Sequence, residues 1–407
     1  MDSLNAQNRW LAIVGIGEDG LDGLSPAACR LIAQAELLVG GARHLALAGP
    51  TAARTLAWPS PIEAAIPRIL AHQGKPTCVL ASGDPFFYGV GALLMRHVPA
   101  SEMICHPAPS AFSLAAARLG WSLQDCACVS LHGRALEAVF AHLQPGARLL
   151  ALAWDGETAA KLARALTARG MGGSKLTICE AMGGPNERLR GARASEFGFA
   201  DIADLNTIAL EVDAEPGARI IPRASGLPDD WYEHDGQLTK REIRAMTLAA
   251  LAPRRGELLW DIGAGSGSVA IEWMLGDPAN RAIAIEANAA RASRIARNAL
   301  HLGAPALAIV GGRAPACLEG LARPDAIFVG GGASAADLLD RAFAALAPGG
   351  RLVVNAVTLE GQAELSARYL RLGGDLTQIQ IARADPIGRF RGWRATLPVV
   401  QWRVEKG

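Results

Sequence analysis

The chain has 407 residues, half of them hydrophobic and 19% charged, with a formal net charge of +1. That length accommodates two domains, each with its own core, and the near-neutral balance lacks the basic excess of a nucleic-acid partner. Seven cysteines without a C-x-x-C pair indicate neither a disulfide framework nor a zinc site, so no metal is expected. The sequence has neither a charged leader running into an apolar core nor an uncharged apolar run of about 18 residues, so no membrane association is expected and the cytoplasm is the default location.

The first predicted strand is "LAIVG", which runs into Gly15, Gly17 and Gly20 with the G-x-G-x-x-G spacing of a dinucleotide fingerprint. Gly20 opens no helix, however. "LDGL" intervenes, and Ser25-Pro26 is the better N-cap and first-turn pair for "PAACRLIAQAE". The next strand, "LLVGG", ends without an acid, so a nicotinamide-dependent dehydrogenase is only an alternative reading. Further on, "CVLASG" delivers Ser82, Gly83, Asp84 and Pro85 to a strand end, where open α/β sheets bind ligands. "HPAPSAF" repeats the arrangement, with Ser110 capping an Ala-rich helix whose first amides are free to hold a polar ligand. Either loop alone is an ordinary capped turn; the two together suggest a pocket.

Short apolar runs alternate with Ala/Leu-rich segments throughout, which predicts α/β layers with largely parallel strands. Prolines, glycines and acids interrupt any period over 213–235. The chain is therefore divided into residues 1–214, with subdomains of about 1–105 and 106–214, a connection over 215–235, and a second domain over 236–407.

The second half opens on "LLWDIGAGSGSVAIEW". Asp261, Gly263, Gly265 and Gly267 precede a helix, and the following strand ends in Glu286. Ser268 occupies the place where a dinucleotide fingerprint wants glycine, which leaves D-x-G-x-G-x-G, the methyl-donor version of the device. Glycine lets main chain approach a ligand without a Cβ clash, and an acid at the neighbouring strand tip can accept both hydroxyls of a ribose.

In "VGIGEDG", "SGDPFFYGVG" and "AARLGW" the first half resembles the tetrapyrrole methylase family, whose fold has two α/β subdomains with S-adenosylmethionine between them. "LTKREIRA", "DIGAGSGS", "GGRAPACL", "FVGGG" and "NAVTLE" make the second half similar to the Rossmann-like class I methyltransferase that partners it in cobalamin biosynthesis. The resemblance implies S-adenosylmethionine-dependent C-methylation of a precorrin at C5, by the first domain, and at C15, by the second, with loss of the C12 acetate carboxyl. It implies two cofactor sites, one per domain. The second would use Thr239, Asp261, Gly263, Ala264, Gly265, Ser266, Gly267, Glu286 and Ala314; the first would use Ser82, Gly83, Asp84 and Ser110. Ala108 stands where that family usually has glycine.

A flat substrate bearing many carboxylates calls for Arg forks beside aromatic faces. Arg389, Arg391 and Arg394, set among Phe390 and Trp393, are candidates, as is Lys240 beside Thr239. His44, His132 and Glu137 are read as ordinary polar residues, and no catalytic base is assigned. The expected partner is the tetrapyrrole itself, within a homo-oligomer. A nucleic-acid methyltransferase built on the second half is the other alternative, disfavoured by the charge.

Overall fold

The computed structural model describes residues 9–407. The chain divides into two compact units, one running to Leu136 and resuming over His142–Arg219, the other taking Glu137–Ala141 and Ile220–Gly407. The division thus falls after Arg219, inside the stretch that the sequence marks as a connection.

The first unit begins with β1 (Leu11–Ile16), α1 (Pro26–Ala33), β2 (Leu37–Gly40), α2 (Ala42–Leu47), β3 (Arg54–Ala57), α3 (Ile66–Leu70), β4 (Thr77–Ser82), α4 (Gly91–Leu94) and β5 (Met103–His106). Its strands make a parallel sheet in the order β3-β2-β4-β1-β5. All of β1 is buried because both faces are covered. Leu11 and Ile13 enter one core cluster, while Ala12, Val14 and Ile16 enter the other. Ser25 caps α1, its side chain accepting from the Ala28 amide at 3.2 Å, and Gly20 lies in a separate turn of 3-10 helix. The fingerprint spacing at Gly15 is therefore not followed by a helix starting at Gly20.

The unit continues with α5 (Ala111–Leu119), β6 (Cys126–Ser130), β7 (Arg148–Leu152), α6 (Thr158–Ala168), β8 (Lys175–Glu180), β9 (Arg188–Arg193) and β10 (Asn206–Glu211). This second sheet has the order β6-β7-β10-β8-β9. Here the expectation of largely parallel strands needs correction: β6 and β7 pair parallel, but β7–β10, β10–β8 and β8–β9 are antiparallel. No crossover helix lies between Glu180 and Arg188, and a short connection can only return the chain antiparallel.

The second unit contains α7 (Arg241–Leu251), β11 (Leu258–Ile262), α8 (Ser268–Gly276), β12 (Arg281–Glu286), α9 (Ala289–His301), β13 (Ala308–Gly311), β14 (Ala326–Val329), α10 (Leu338–Ala345), β15 (Arg351–Ala356) and α11 (Leu359–Leu372), then β16 (Asp375–Ile379), β17 (Ala382–Ile387), β18 (Phe390–Ala395) and β19 (Val399–Glu405). Seven strands form one sheet, β13-β12-β11-β14-β15-β19-β16, while β17 and β18 make a separate hairpin. Trp260, Ile262, Ile327, Val329, Leu352 and Val354 line one face with Leu339 and Leu365 from α10 and α11. Burial of each such aliphatic side chain contributes about 1.5–3 kcal/mol. Strands are added outward in one direction from β11 to β13 and in the other from β14 onward. The β11/β14 boundary is thus the topological switch point, where a ligand crevice opens. Among the described residues no helix is long and apolar enough to cross a membrane.

Candidate functional site

The turn after β11 sits at that switch point. Gly263, Gly265 and Gly267 all have positive φ, at 74°, 60° and 78°, a region costly for residues with a Cβ. Space is short as well. A Cβ on Gly265 would lie 3.0 Å from the Gln237 carbonyl oxygen, and one on Gly267 would lie 2.7 Å from Ile295 Cγ2. The Gly263 and Ala264 amides share the Ile285 carbonyl, and the Gly267 amide donates to the Ala264 carbonyl at 2.8 Å, which closes the turn ahead of α8.

Two carboxylates frame it. Asp261 is buried; its Oδ2 accepts from the Ala270 amide at 3.1 Å, while Oδ1 has no hydrogen-bond partner. Burial, reinforced by the nearby Glu286 carboxylate and opposed by that amide, pushes the Asp261 pKa up to about 7. Glu286, at the tip of β12, accepts from the Gly265 amide through Oε2 and from the Asn288 amide through Oε1, each at 2.9 Å. Each oxygen keeps lone-pair capacity for a further donor. Ser266 Oγ is buried without a partner, and Ala314 is half-buried in the loop after β13, the strand beside β12. A bare main-chain cradle, an acidic strand tip and unfilled buried polar atoms suit an adenosyl group.

The stretch 226–240, read from the sequence partly as connection, is built into this unit. Glu272 of α8 accepts from the Gly226 amide at 2.6 Å, the Leu227 amide at 3.0 Å, the Tyr232 hydroxyl at 2.9 Å and Arg244 Nε at 2.6 Å. Arg244, fully buried, also donates to the Thr239 carbonyl at 2.6 Å and to the Leu227 carbonyl. The stretch thus forms a strap whose Gln237 carbonyl oxygen lies against Gly265, and Thr239 and Lys240 follow at its end, ahead of α7. Nothing in the local sequence singled out Arg244 or Glu272, because the signal is a meeting of two helices.

In the first unit, Gly83 (φ 53°) and Gly15 bring three strand ends together. A Cβ on Gly15 would lie 1.8 Å from the Gly83 carbonyl oxygen, which itself accepts from the Ala108 amide at 3.1 Å. Ser110 caps α5 by accepting from the Ser113 amide at 3.1 Å, and Asp84 accepts from the Phe86 amide at 2.8 Å. Ser82 Oγ is engaged by His44 Nε2 at 2.8 Å and Arg43 at 2.9 Å, and Arg43 is paired with Glu18. Burial, with Arg43 adjacent, lowers the His44 pKa to about 4, so the ring is neutral at pH 7. Beyond Asp84, Phe86, Phe87 and Tyr88 stand exposed, and Arg134 lies 5.4 Å from the Tyr88 ring centroid. The run "FFY" after the loop is the visible signal of this platform in the sequence.

The arginines of the tail do not line the glycine turn through any direct bond. Arg389 and Arg391 flank Phe390 on the hairpin, Arg394 pairs with Asp385 at 3.0 Å, and Trp393 is 80% exposed. The hairpin root is tied to α7, which Lys240 precedes, through Arg383 and Glu242.

Reversal of strand order at D-x-G-x-G-x-G, with the acid on the adjoining strand, defines the second unit as a Rossmann-like class I methyltransferase; the first has the two α/β sheets of a tetrapyrrole methylase. Residues 230–406 match the family described as "Precorrin methyltransferase domain" and residues 11–198 match "Tetrapyrrole (Corrin/Porphyrin) Methylases". A Sinorhizobium precorrin-6Y C(5,15)-methyltransferase [decarboxylating] is 53% identical over 399 residues, covering 98% of this chain and 97% of that protein. Its Mycobacterium tuberculosis counterpart is 40% identical, covering 97% and 100%. The solved C-terminal domain of the Rhodobacter capsulatus precorrin-6Y C5,15-methyltransferase is 50% identical, covering 46% of this chain and all of that one, with a TM-score of 0.44. The chain belongs to the precorrin-6Y C5,15-methyltransferase (decarboxylating) family, which implies S-adenosylmethionine as methyl donor.

Proposed function

We propose that this chain methylates a precorrin at C5 and C15 and removes the C12 acetate carboxyl, with one S-adenosylmethionine site in each unit. The observation that carries the reading is the near-full-length likeness to the Sinorhizobium enzyme, spanning both units in one chain. The bound donor supplies an electrophilic methyl group on a sulfonium. Displacement at that carbon needs no covalent enzyme intermediate, so the chain's contribution is near-attack positioning.

In the second unit Glu286 holds the ribose hydroxyls and the turn from Gly263 to Gly267 takes the donor against main chain, with Thr239 and Ala314 at its borders. In the first unit the loops at Ser82–Asp84 and Ser110 do the same work. The acceptor ring has enamine-like meso carbons, and its conjugated imines can take the electron pair released by decarboxylation. Arg389, Arg391, Arg394 and Lys240 receive its carboxylates in the second unit. The deciding experiment incubates enzyme, S-adenosylmethionine and reduced precorrin and reads product mass: two methyl groups gained and one carbon dioxide lost are expected. A single methyl gain would confine activity to one unit. The observed features of the first glycine turn, with no helix at Gly20 and Gly40 ending β2, speak against the dehydrogenase alternative.

A further inference from the structure

Asn298, on α9, is 3% exposed and engages its side-chain oxygen and both side-chain amide protons with two segments distant in sequence. Its Oδ1 accepts from the Glu233 amide at 2.8 Å, and Nδ2 donates to the Glu233 carbonyl at 3.0 Å. The second Nδ2 proton goes to the Ser266 carbonyl at 2.9 Å. One amide side chain thus joins the strap to the middle of the glycine turn. Asp235 adds ion pairs to Arg291 at 2.9 Å and Arg294 at 3.2 Å on the same helix. Two residues on, the Gln237 carbonyl oxygen lies 3.0 Å from where a Cβ on residue 265 would stand. The turn and the strap form one wall, and Asn298 is its joint.

We infer that Asn298 is a positioning residue for the methyl donor: by tying Glu233 to Ser266 it sets the spacing between strap and glycine turn before the donor arrives. This rests on the reading that the turn after β11 holds the donor. An amide is required for the joint. Two carbonyls must each receive a proton and one N–H must be accepted, and neither a carboxylate nor an alkyl group does both. Loss of the amide leaves these buried groups unmatched, and the strap is freed to move away from the turn.

The test follows hydrogen exchange in the full chain, with S-adenosylhomocysteine as the probe. Protection of the 262–271 amides against ligand concentration reports affinity at this turn independently of the first unit. In Asn298→Ala, exchange at 233–240 should accelerate without ligand, and the concentration for half-protection should rise roughly tenfold, as expected for loss of a buried hydrogen-bonded joint. At saturating donor kcat should change less than about threefold, because the joint acts on binding. Unchanged half-protection overturns the inference, as does acceleration spread equally over β11, β12 and α8. Wild-type protein showing no protection at 262–271 removes the donor-site reading beneath it, whereas protection in wild type with an equal value in the variant removes only the role of Asn298. Should Asn298→Ala not fold, the exposed Asp235→Asn loosens the same strap, with a shift of roughly twofold to fivefold in the same direction; no shift there overturns the inference.

Discussion

Glu286 Oε2 accepts the Gly265 amide proton at 2.9 Å, so the acidic tip of β12 is fastened to the glycine turn without help from a ligand. The carboxylate is preorganised, and its free lone pairs are what a sugar diol would meet. In Glu286→Gln one side-chain oxygen remains to accept a main-chain amide, and the fold should survive. Affinity for S-adenosylhomocysteine at this turn should fall roughly tenfold to a hundredfold, the range for hydrogen bonds to a charged acceptor. Calorimetric titration measures it.

The first unit has its own tight place. A Cβ on Gly83 would stand 2.8 Å from the Pro109 carbonyl oxygen and 2.9 Å from Ser110 Cα, at a φ of 53°. Main-chain atoms cannot yield cheaply there, so Gly83→Ala should push the Ser82–Asp84 loop away from the start of α5. If each unit holds a donor, calorimetry of the intact chain should read two sites in wild type and one in this variant. Two sites retained at wild-type affinity would show that this loop does not hold the donor.

Asp261 makes stability depend on pH with a definite sign. Its pKa is about 7 in the fold against an ordinary value of 3.8, so between those values the native state keeps a proton that the unfolded state has released. Its contribution to stability therefore declines as pH rises through that window and levels off above about 7. Asp261→Asn keeps an oxygen for the Ala270 amide and removes the titration. The urea midpoint of the variant relative to wild type should rise from pH 4 to pH 7.5; a constant difference would contradict a buried, titrating Asp261.

Arg391 lies on an exposed hairpin with aromatic neighbours, and the proposal gives it a substrate carboxylate. Arg391→Ala should raise the KM for the tetrapyrrole about tenfold, the effect of losing one charge-assisted hydrogen bond, and leave S-adenosylhomocysteine binding unchanged. Steady-state kinetics together with calorimetry separate the two effects. Unaltered kinetics would take the hairpin out of the acceptor site.

Features governed by near neighbours in the chain were legible in the sequence. Ser25 and Ser110 announced their helices because a cap is a contact over three residues. The Asp261-to-Gly267 turn and the Glu286 strand tip could be placed because strand, turn, helix and strand follow one another without interruption. Their juxtaposition follows from the parallel β11–β12 ladder. Less came through where direction of pairing mattered. The antiparallel β7–β10–β8–β9 half of the second sheet departs from the parallel expectation because apolar runs report burial and not strand polarity.

The segment around residue 230 shows the limit most clearly. Its prolines, glycines and acids look like a tether, and by local rules nothing else could be said. Its order comes from Glu272, Arg244 and Asn298, between 5 and 65 positions away along the chain at the contacts they make with it. The sequence by itself determined the two α/β units and the glycine turn with its acid, because those depend on periodicity and on steric freedom at single residues. Only the tertiary structure decided that the supposed tether is fastened against the glycine turn, because a hydrogen bond between distant residues leaves no local pattern to read.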